Sequence, residues 1–275
     1  MLRRLIVGIS GSKISRSAVQ AAIHYAQRHQ AEVVGVSAID VARITSGEPV
    51  PLGGAAFKLQ RDEALMAQAH QESERWLAEF RSECETGGVR HQTVQATGEP
   101  AEILAREAQR GDLLILGRKS IPAEGQERSN TIEHVLRLSG RPILTVPADG
   151  FPDGRPALVA YDGSPQAAAA IQAFQLLGLA ANRPVHILLA GPSDSESSSA
   201  ALAADYLQLH GHEVVKHHEK SHKPAWEVIV QEANRLKAGV IVMGSCGRPR
   251  IAEALFGSTT RKVLAHSETA LFLHH

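Results

Sequence analysis

Short runs of β-branched and aliphatic residues alternate with longer amphipathic stretches along the whole chain. The apolar runs predict strands near 3–9, 32–39, 89–96, 112–117 and 142–146, and again near 156–161, 184–190, 212–219, 239–243 and 269–273. Between them the apolar spacing changes to that of a helix. Ala167, Ile171, Phe174 and Leu177 step at 4, 3 and 3, and Trp226, Ile229, Ala233 and Leu236 at 3, 4 and 3. Leu65, Ala69, Trp76 and Phe80 step at 4, 7 and 4. Strands alternating with helices imply right-handed βαβ crossovers and parallel sheets covered on both faces.

The order of features repeats. Leu5-Ile6-Val7-Gly8-Ile9-Ser10-Gly11-Ser12 is similar to Ala157-Leu158-Val159-Ala160-Tyr161-Asp162-Gly163-Ser164, 152 positions further on. Leu113-Leu114-Ile115-Leu116-Gly117 pairs with Val240-Ile241-Val242-Met243-Gly244 at an offset of 127, and Val135-Leu136-Arg137 with Val263-Leu264-Ala265 at 128. The offset shrinks because the first half carries extra residues around 41–60, where Gly47, Pro49, Pro51, Gly53 and Gly54 predict a long loop. Gly150-Phe151-Pro152-Asp153-Gly154 makes a natural joint. The prediction is two tandem α/β domains, 1–147 and 155–275, each a doubly wound parallel sheet of five strands flanked by helices.

Length and charge narrow the partners. A chain of 275 residues suits two ordinary domains. Lys+Arg and Asp+Glu are both 29, so there is no basic surplus for a nucleic-acid backbone, and 11 aromatic residues are too few for base-stacking platforms. Cys84 and Cys246 cannot build a disulfide framework and suit a reducing cytosol. The apolar stretch after Arg3-Arg4 ends at Gly8, too short for a signal peptide, and no window approaches the ~18 apolar residues of a membrane span. The expectation is a cytoplasmic protein with no nucleic-acid or membrane partner.

The chemistry gathers after the fourth strand of the second half, in Gly244-Ser245-Cys246-Gly247-Arg248 and, further on, Gly257-Ser258-Thr259. The spacing is G-x2-G-x9-G-S-T. Glycine lets main chain approach a ligand and lets N–H groups converge on an anion. Ser258 sits where it can cap a helix running to about Ala265, whose start offers free N–H groups and a positive dipole end. It is neither a Walker A loop nor the dinucleotide fingerprint, which belongs after a first strand. Ligands of doubly wound sheets bind where the strand order reverses. With strand 1 beside strand 4, Asp162 would face the glycine loop and accept from ribose hydroxyls or an adenine amine, and the main chain near Ala190 would edge the base. Two plainer readings stand beside this: Gly163-Ser164-Pro165 as a strand–helix turn capped by Ser164, and Gly257-Ser258 as a cap alone.

These residues resemble the nucleotide-binding branch of the universal stress protein family, whose mark is G-x2-G-x9-G-[ST]. The similarity spans the Val159–Ser164 opening, the Val240–Arg248 strand and loop, and Leu255-Phe256-Gly257-Ser258-Thr259 with Lys262-Val263-Leu264. It covers essentially the whole chain as two copies. The resemblance implies strand order 3-2-1-4-5 and a stress-response regulator acting through nucleotide-dependent conformation or partner binding. It implies ATP held by Asp162 and Ala190 at the nucleoside, by Gly244, Gly247, Gly257, Ser258 and Thr259 at the phosphates, and usually Mg²⁺. In the first copy Ser10 replaces the aspartate, Ser120 the second glycine and Ser129-Asn130 the Gly-Ser pair, so that copy is expected to bind ATP poorly or not at all. Family members pair through the fifth strand, which in a tandem chain can happen internally, 142–146 meeting 270–273, with a further homodimer left open.

Arg248 could touch a phosphate, while Arg250 and Glu253 read as helix-surface charges. Cys246 reads as a small residue in a tight turn, with redox sensing as the alternative. His210, His212, His217, His218 and His222 crowd one strand, with His212 and His218 on one face and His217 on the other; they read as a solvated edge without zinc-ligand spacing, and no metal ligand is assigned. No nucleophile, general base or catalytic lysine is recognisable, so the chain is at most a slow ATPase. The competing class is an interaction or small-ligand module that needs no nucleotide.

Overall fold

The computed structural model describes residues 2–45, 55–118, 131–151, 154–190, 197–245 and 257–275. The first half runs β1 (Arg4–Gly8), α1 (Lys13–His29), β2 (Glu32–Ile39), α2 (Val41–Thr45), α3 (Ala55–Thr86), β3 (His91–Thr97), α4 (Pro100–Ala108), β4 (Leu113–Gly117), α5 (Thr131–Ser139) and β5 (Ile143–Val146). The second runs β6 (Ala157–Tyr161), α6 (Pro165–Leu176), β7 (Val185–Ala190), α7 (Ser197–Leu209), β8 (Val214–Glu219), α8 (Ala225–Arg235), β9 (Val240–Gly244), α9 (Ser258–His266) and β10 (Ala270–His274).

Each half has the strand order 3-2-1-4-5 with all neighbours parallel. The order arises because the inner strands are apolar on both faces and must be covered on both: Leu5, Ile6 and Val7 are wholly buried, as are Val240, Ile241 and Val242. The outer strands β3 and β8 read His-Gln-Thr-Val-Gln-Ala-Thr and Val-Val-Lys-His-His-Glu, polar enough to stand at an open edge. β5 and β10 run antiparallel, Leu144 opposite Phe272 and Ile143 opposite Leu273, which joins the halves into one ten-stranded sheet.

The cores ignore the boundary between halves. One apolar cluster lies on the α1, α3, α6 and α7 face, the other under α4, α5, α8 and α9, and each draws side chains from both copies. Phe174 of α6 stacks edge-on against Phe272 of β10 at 5.2 Å. On the same face of the sheet Phe151 lies 5.5 Å from the Tyr25 ring and beneath the Arg183 guanidinium at 5.3 Å.

The loop expected over 41–60 is corrected at both ends: Val41–Thr45 is helical, and α3 already begins at Ala55. Residues 55–66 are rich in Ala, Leu, Lys, Gln, Arg and Glu, and this propensity carries the helix upstream of its packed part. Only Ser73, Leu77, Phe80 and Cys84 of α3 are buried, while Phe57 and Leu59 remain 74% and 63% exposed. Residues 46–54 lie outside the described residues.

Candidate functional site

β6 and β9 pair directly, Leu158 opposite Ile241 and Val159 opposite Val242, so Asp162 and Gly244 emerge at the same end of the sheet. Asp162 is exposed, and its Oδ1 accepts the Ser164 N–H at 3.0 Å. Ser164 Oγ in turn accepts the Ala167 N–H at 3.1 Å, and Pro165 stands in the first turn of α6, so the sequence folds this turn by a side-chain cap on a preset φ. Burial and then the Asp162 carboxylate push the Tyr161 phenol upward, against a hydrogen bond from Ser199. Ala190 ends β7, two strands from Gly244 across β6.

The two ends of the glycine motif come together. Gly257 N–H points to Ser245 O at 3.4 Å, and the hydroxyl of buried Thr260 donates to Gly244 O at 3.3 Å. Gly257, not Ser258, is the N-cap of α9, and no side chain caps that helix. This corrects the expected role of Ser258, which is the first helical residue and exposed. Gly257 has φ −60°, open to any residue, so conformation does not demand the glycine. What it leaves, among the described residues, is a helix start without a side chain capping its first-turn N–H groups, the arrangement that suits an anion. Thr259 is half-buried in the same turn. Gly247, Arg248, Cys246, Arg250 and Glu253 lie outside the described residues, and so do Ser120, Ser129 and Asn130 of the first copy.

Gly244 has a reason for being glycine that needs no ligand. A Cβ there would sit 2.9 Å from the Ala167 nitrogen and the Gln166 carbonyl carbon, at the start of α6. At Gly117 a Cβ would sit 2.5 Å from the Ile14 carbonyl oxygen at the start of α1. Both glycines let the fourth strand pass under the first helix.

The first copy fills its own crevice. Ser15 Oγ accepts the Ser10 N–H at 3.0 Å and donates to Gly8 O at 3.3 Å, Ser12 Oγ accepts the Ser15 N–H at 3.2 Å, and the Ser10 and Ser12 hydroxyls lie 3.1 Å apart. A Cβ on Gly11, which has φ +63°, would overlap the Trp76 indole of α3. The turn that holds Asp162 in one copy is a serine web under a tryptophan in the other.

The histidines of the second copy do not act as a group. β8 starts at Val214, so His212 precedes it, and His210 lies edge-on to the Tyr206 ring at 4.7 Å. His217 turns towards α8, as its predicted opposite face allows, with Nδ1 3.4 Å from Glu232 Oε1. Its Nε2 is 2.7 Å from Nδ1 of His186 on β7, a partner the sequence reading missed because it lies 31 positions away. Burial and His217 lower the His186 pKa, and the Arg235 hydrogen bond holds Glu232 below the usual carboxylate range. Among the described residues no set of three or more His, Cys, Asp or Glu is arranged to hold a metal.

Known proteins resolve the class. The sequence model of the universal stress protein family matches residues 1–147 and again 154–273. The chain therefore belongs to the universal stress protein family, as a tandem of two such units. Universal stress protein Slr1230 of Synechocystis sp. is 24% identical over 96% of this chain and 96% of its own length. Universal stress protein YxiE of Bacillus subtilis is 30% identical over 53% of this chain and 99% of its own length. A universal stress protein from Archaeoglobus fulgidus shares the fold with a TM-score of 0.77 at 17% identity, covering 98% of this chain and 97% of that one. Among the described residues no helix is long and apolar enough to cross a membrane.

Proposed function

We propose that the second copy, 155–275, binds an adenine nucleotide, ATP with Mg²⁺, and that the first copy, 1–147, does not. Asp162 and the main chain at Ala190 take the nucleoside; Gly244, Gly247, Arg248, Gly257, Ser258 and Thr259 take the phosphates. The observation that carries this reading is the uncapped start of α9, drawn against the end of β9 beside Asp162. Occupancy then acts as the regulatory signal of a cytoplasmic stress-response protein, through its shape or its partners. Cys84 is free and wholly buried, and burial pushes its thiol up to about 12, so it takes no part in the site. The β5–β10 junction serves as the internal counterpart of pairing between separate family members.

Denaturing the purified protein and chromatographing what it releases tests the reading. ATP or its products are expected, and Gly257→Leu, compatible with φ −60° though a poorer N-cap than glycine, is expected to abolish retention at a stability cost of about 1 kcal/mol. Asp162→Ala should weaken binding about tenfold or more, the worth of one hydrogen bond to a charged group. A wild-type protein that releases no nucleotide, and whose melting curve ATP and Mg²⁺ leave unmoved, overturns it.

A further inference from the structure

Arg118 follows Gly117 at the end of β4, where the second copy has Ser245 after Gly244. The two main chains do the same thing: Arg118 N–H donates to Val146 O and Ser245 N–H to His274 O, each at 2.8 Å. The side chains differ completely. Arg118 is 4% exposed and crosses to the other copy, where Nη1 donates to Leu264 O at 2.7 Å and to Ser267 O, and Nη2 donates to Thr269 O at 2.7 Å. Leu264 and Ser267 close the C-terminal end of α9, where a helix leaves acceptors without intrahelical donors, and Thr269 leads into β10. A cation at that end also complements the helix dipole. A second arm comes from α5, where Glu133 accepts two hydrogen bonds from Arg261 in the opening turns of α9, at 3.1 and 3.3 Å. The Ser245 side chain is too short to span to the opposite copy as Arg118 does.

We infer that Arg118 is a positioning residue for the nucleotide site of the opposite copy: by fixing the C-terminal end of α9, the first copy sets the N-terminal end that meets phosphate. This rests on the nucleotide reading above and adds its regulation. The first half has spent the residue after its motif glycine on holding the second half's phosphate helix. Because linkage is reciprocal, nucleotide at the start of α9 tightens the junction between copies to the same degree that the junction tightens nucleotide.

The experiment compares full-length wild type, Arg118→Met, Arg118→Lys and Phe151→Leu. Phe151 also bridges the two copies, on the face of the sheet away from α9, and controls for lost stability. Below the melting range, Arg118→Met should weaken ATP binding about tenfold, within the 5–150-fold span of such couplings, with Arg118→Lys in between and Phe151→Leu unchanged. Hydrogen exchange without nucleotide should be several-fold faster over α9 in Arg118→Met and unaltered there in Phe151→Leu. Equal loss of affinity in Phe151→Leu, or unaltered α9 exchange in Arg118→Met, overturns the inference. Wild type that binds no ATP while α9 exchange still responds to Arg118 defeats the nucleotide reading and keeps the strut.

Discussion

The two copies share a frame and part company at the crevice. Gly117 and Gly244 admit the start of a helix at the same point, Ser12 and Ser164 cap that helix in the same way, and Glu107–Arg110 and Glu232–Arg235 pair on the corresponding helices. Around the crevice other counterparts differ. Ser10 stands for Asp162 and Arg118 for Ser245. The buried phase of α3, Ser73-Leu77-Phe80, aligns with Ala200-Ala204-Leu207 of α7, which sets Trp76 against Ala203. What is common answers to packing, and what differs answers to the ligand each copy would hold. A glycine kept in both halves is therefore poor testimony for phosphate; an uncapped helix found beside an exposed aspartate in one half is better.

The glycine comparison is the one to break first. Gly117→Ala and Gly244→Ala should each cost about 2–3 kcal/mol in urea unfolding, because the new Cβ meets backbone that cannot swing aside. A tolerated Gly244→Ala beside a damaging Gly117→Ala would return Gly244 to a purely ligand-binding role. Next come the caps: Ser12→Ala and Ser164→Ala should each cost about 1 kcal/mol, and Ser164→Ala should leave ATP retention intact. A nucleotide loss as deep as that of Asp162→Ala would make Ser164 a ligand contact.

The smallest expected effect is on pH dependence. His186 and His217 occupy the sheet positions of Val34 and Val94 in the first copy, beneath the corresponding Glu–Arg pair. Burial first, then His217, lowers the His186 pKa; Glu232 and Glu213 oppose the change and Arg235 adds to it. The unfolded chain thus takes up the proton more readily than the folded one. Stability is complete above the ordinary histidine value of 6.5 and declines as pH falls through the lower folded pKa. Glu232, lowered by its Arg235 hydrogen bond, keeps its own contribution until more acid pH. His186→Val with His217→Val should flatten the drop in urea midpoint between about pH 7.5 and about pH 5.5; an unchanged drop would place the titrating groups elsewhere.

Much of the frame was legible. The run Val185–Ala190 and its repeat partner Glu32–Ile39 are mostly apolar because helices cover both faces of the sheet, and burial of that kind leaves its mark on most residues of a strand. The Ser164 cap was legible because it spans three positions. The helical start of 41–60 was not, since turn formers at 47–54 outweighed the helix formers that follow.

The sequence by itself determined the repeat, the alternation of strands and helices within each half and the position of the aspartate at the end of one first strand, all of which are read from runs of neighbouring residues. The strand order came through the family resemblance. The tertiary structure alone decided that Arg118 grips the carbonyls of Leu264 and Ser267, that Trp76 closes over Gly11, and that His186 meets His217. Those are contacts between residues far apart in sequence. Such contacts exist only once the backbone has folded, and a periodic pattern carries no trace of them.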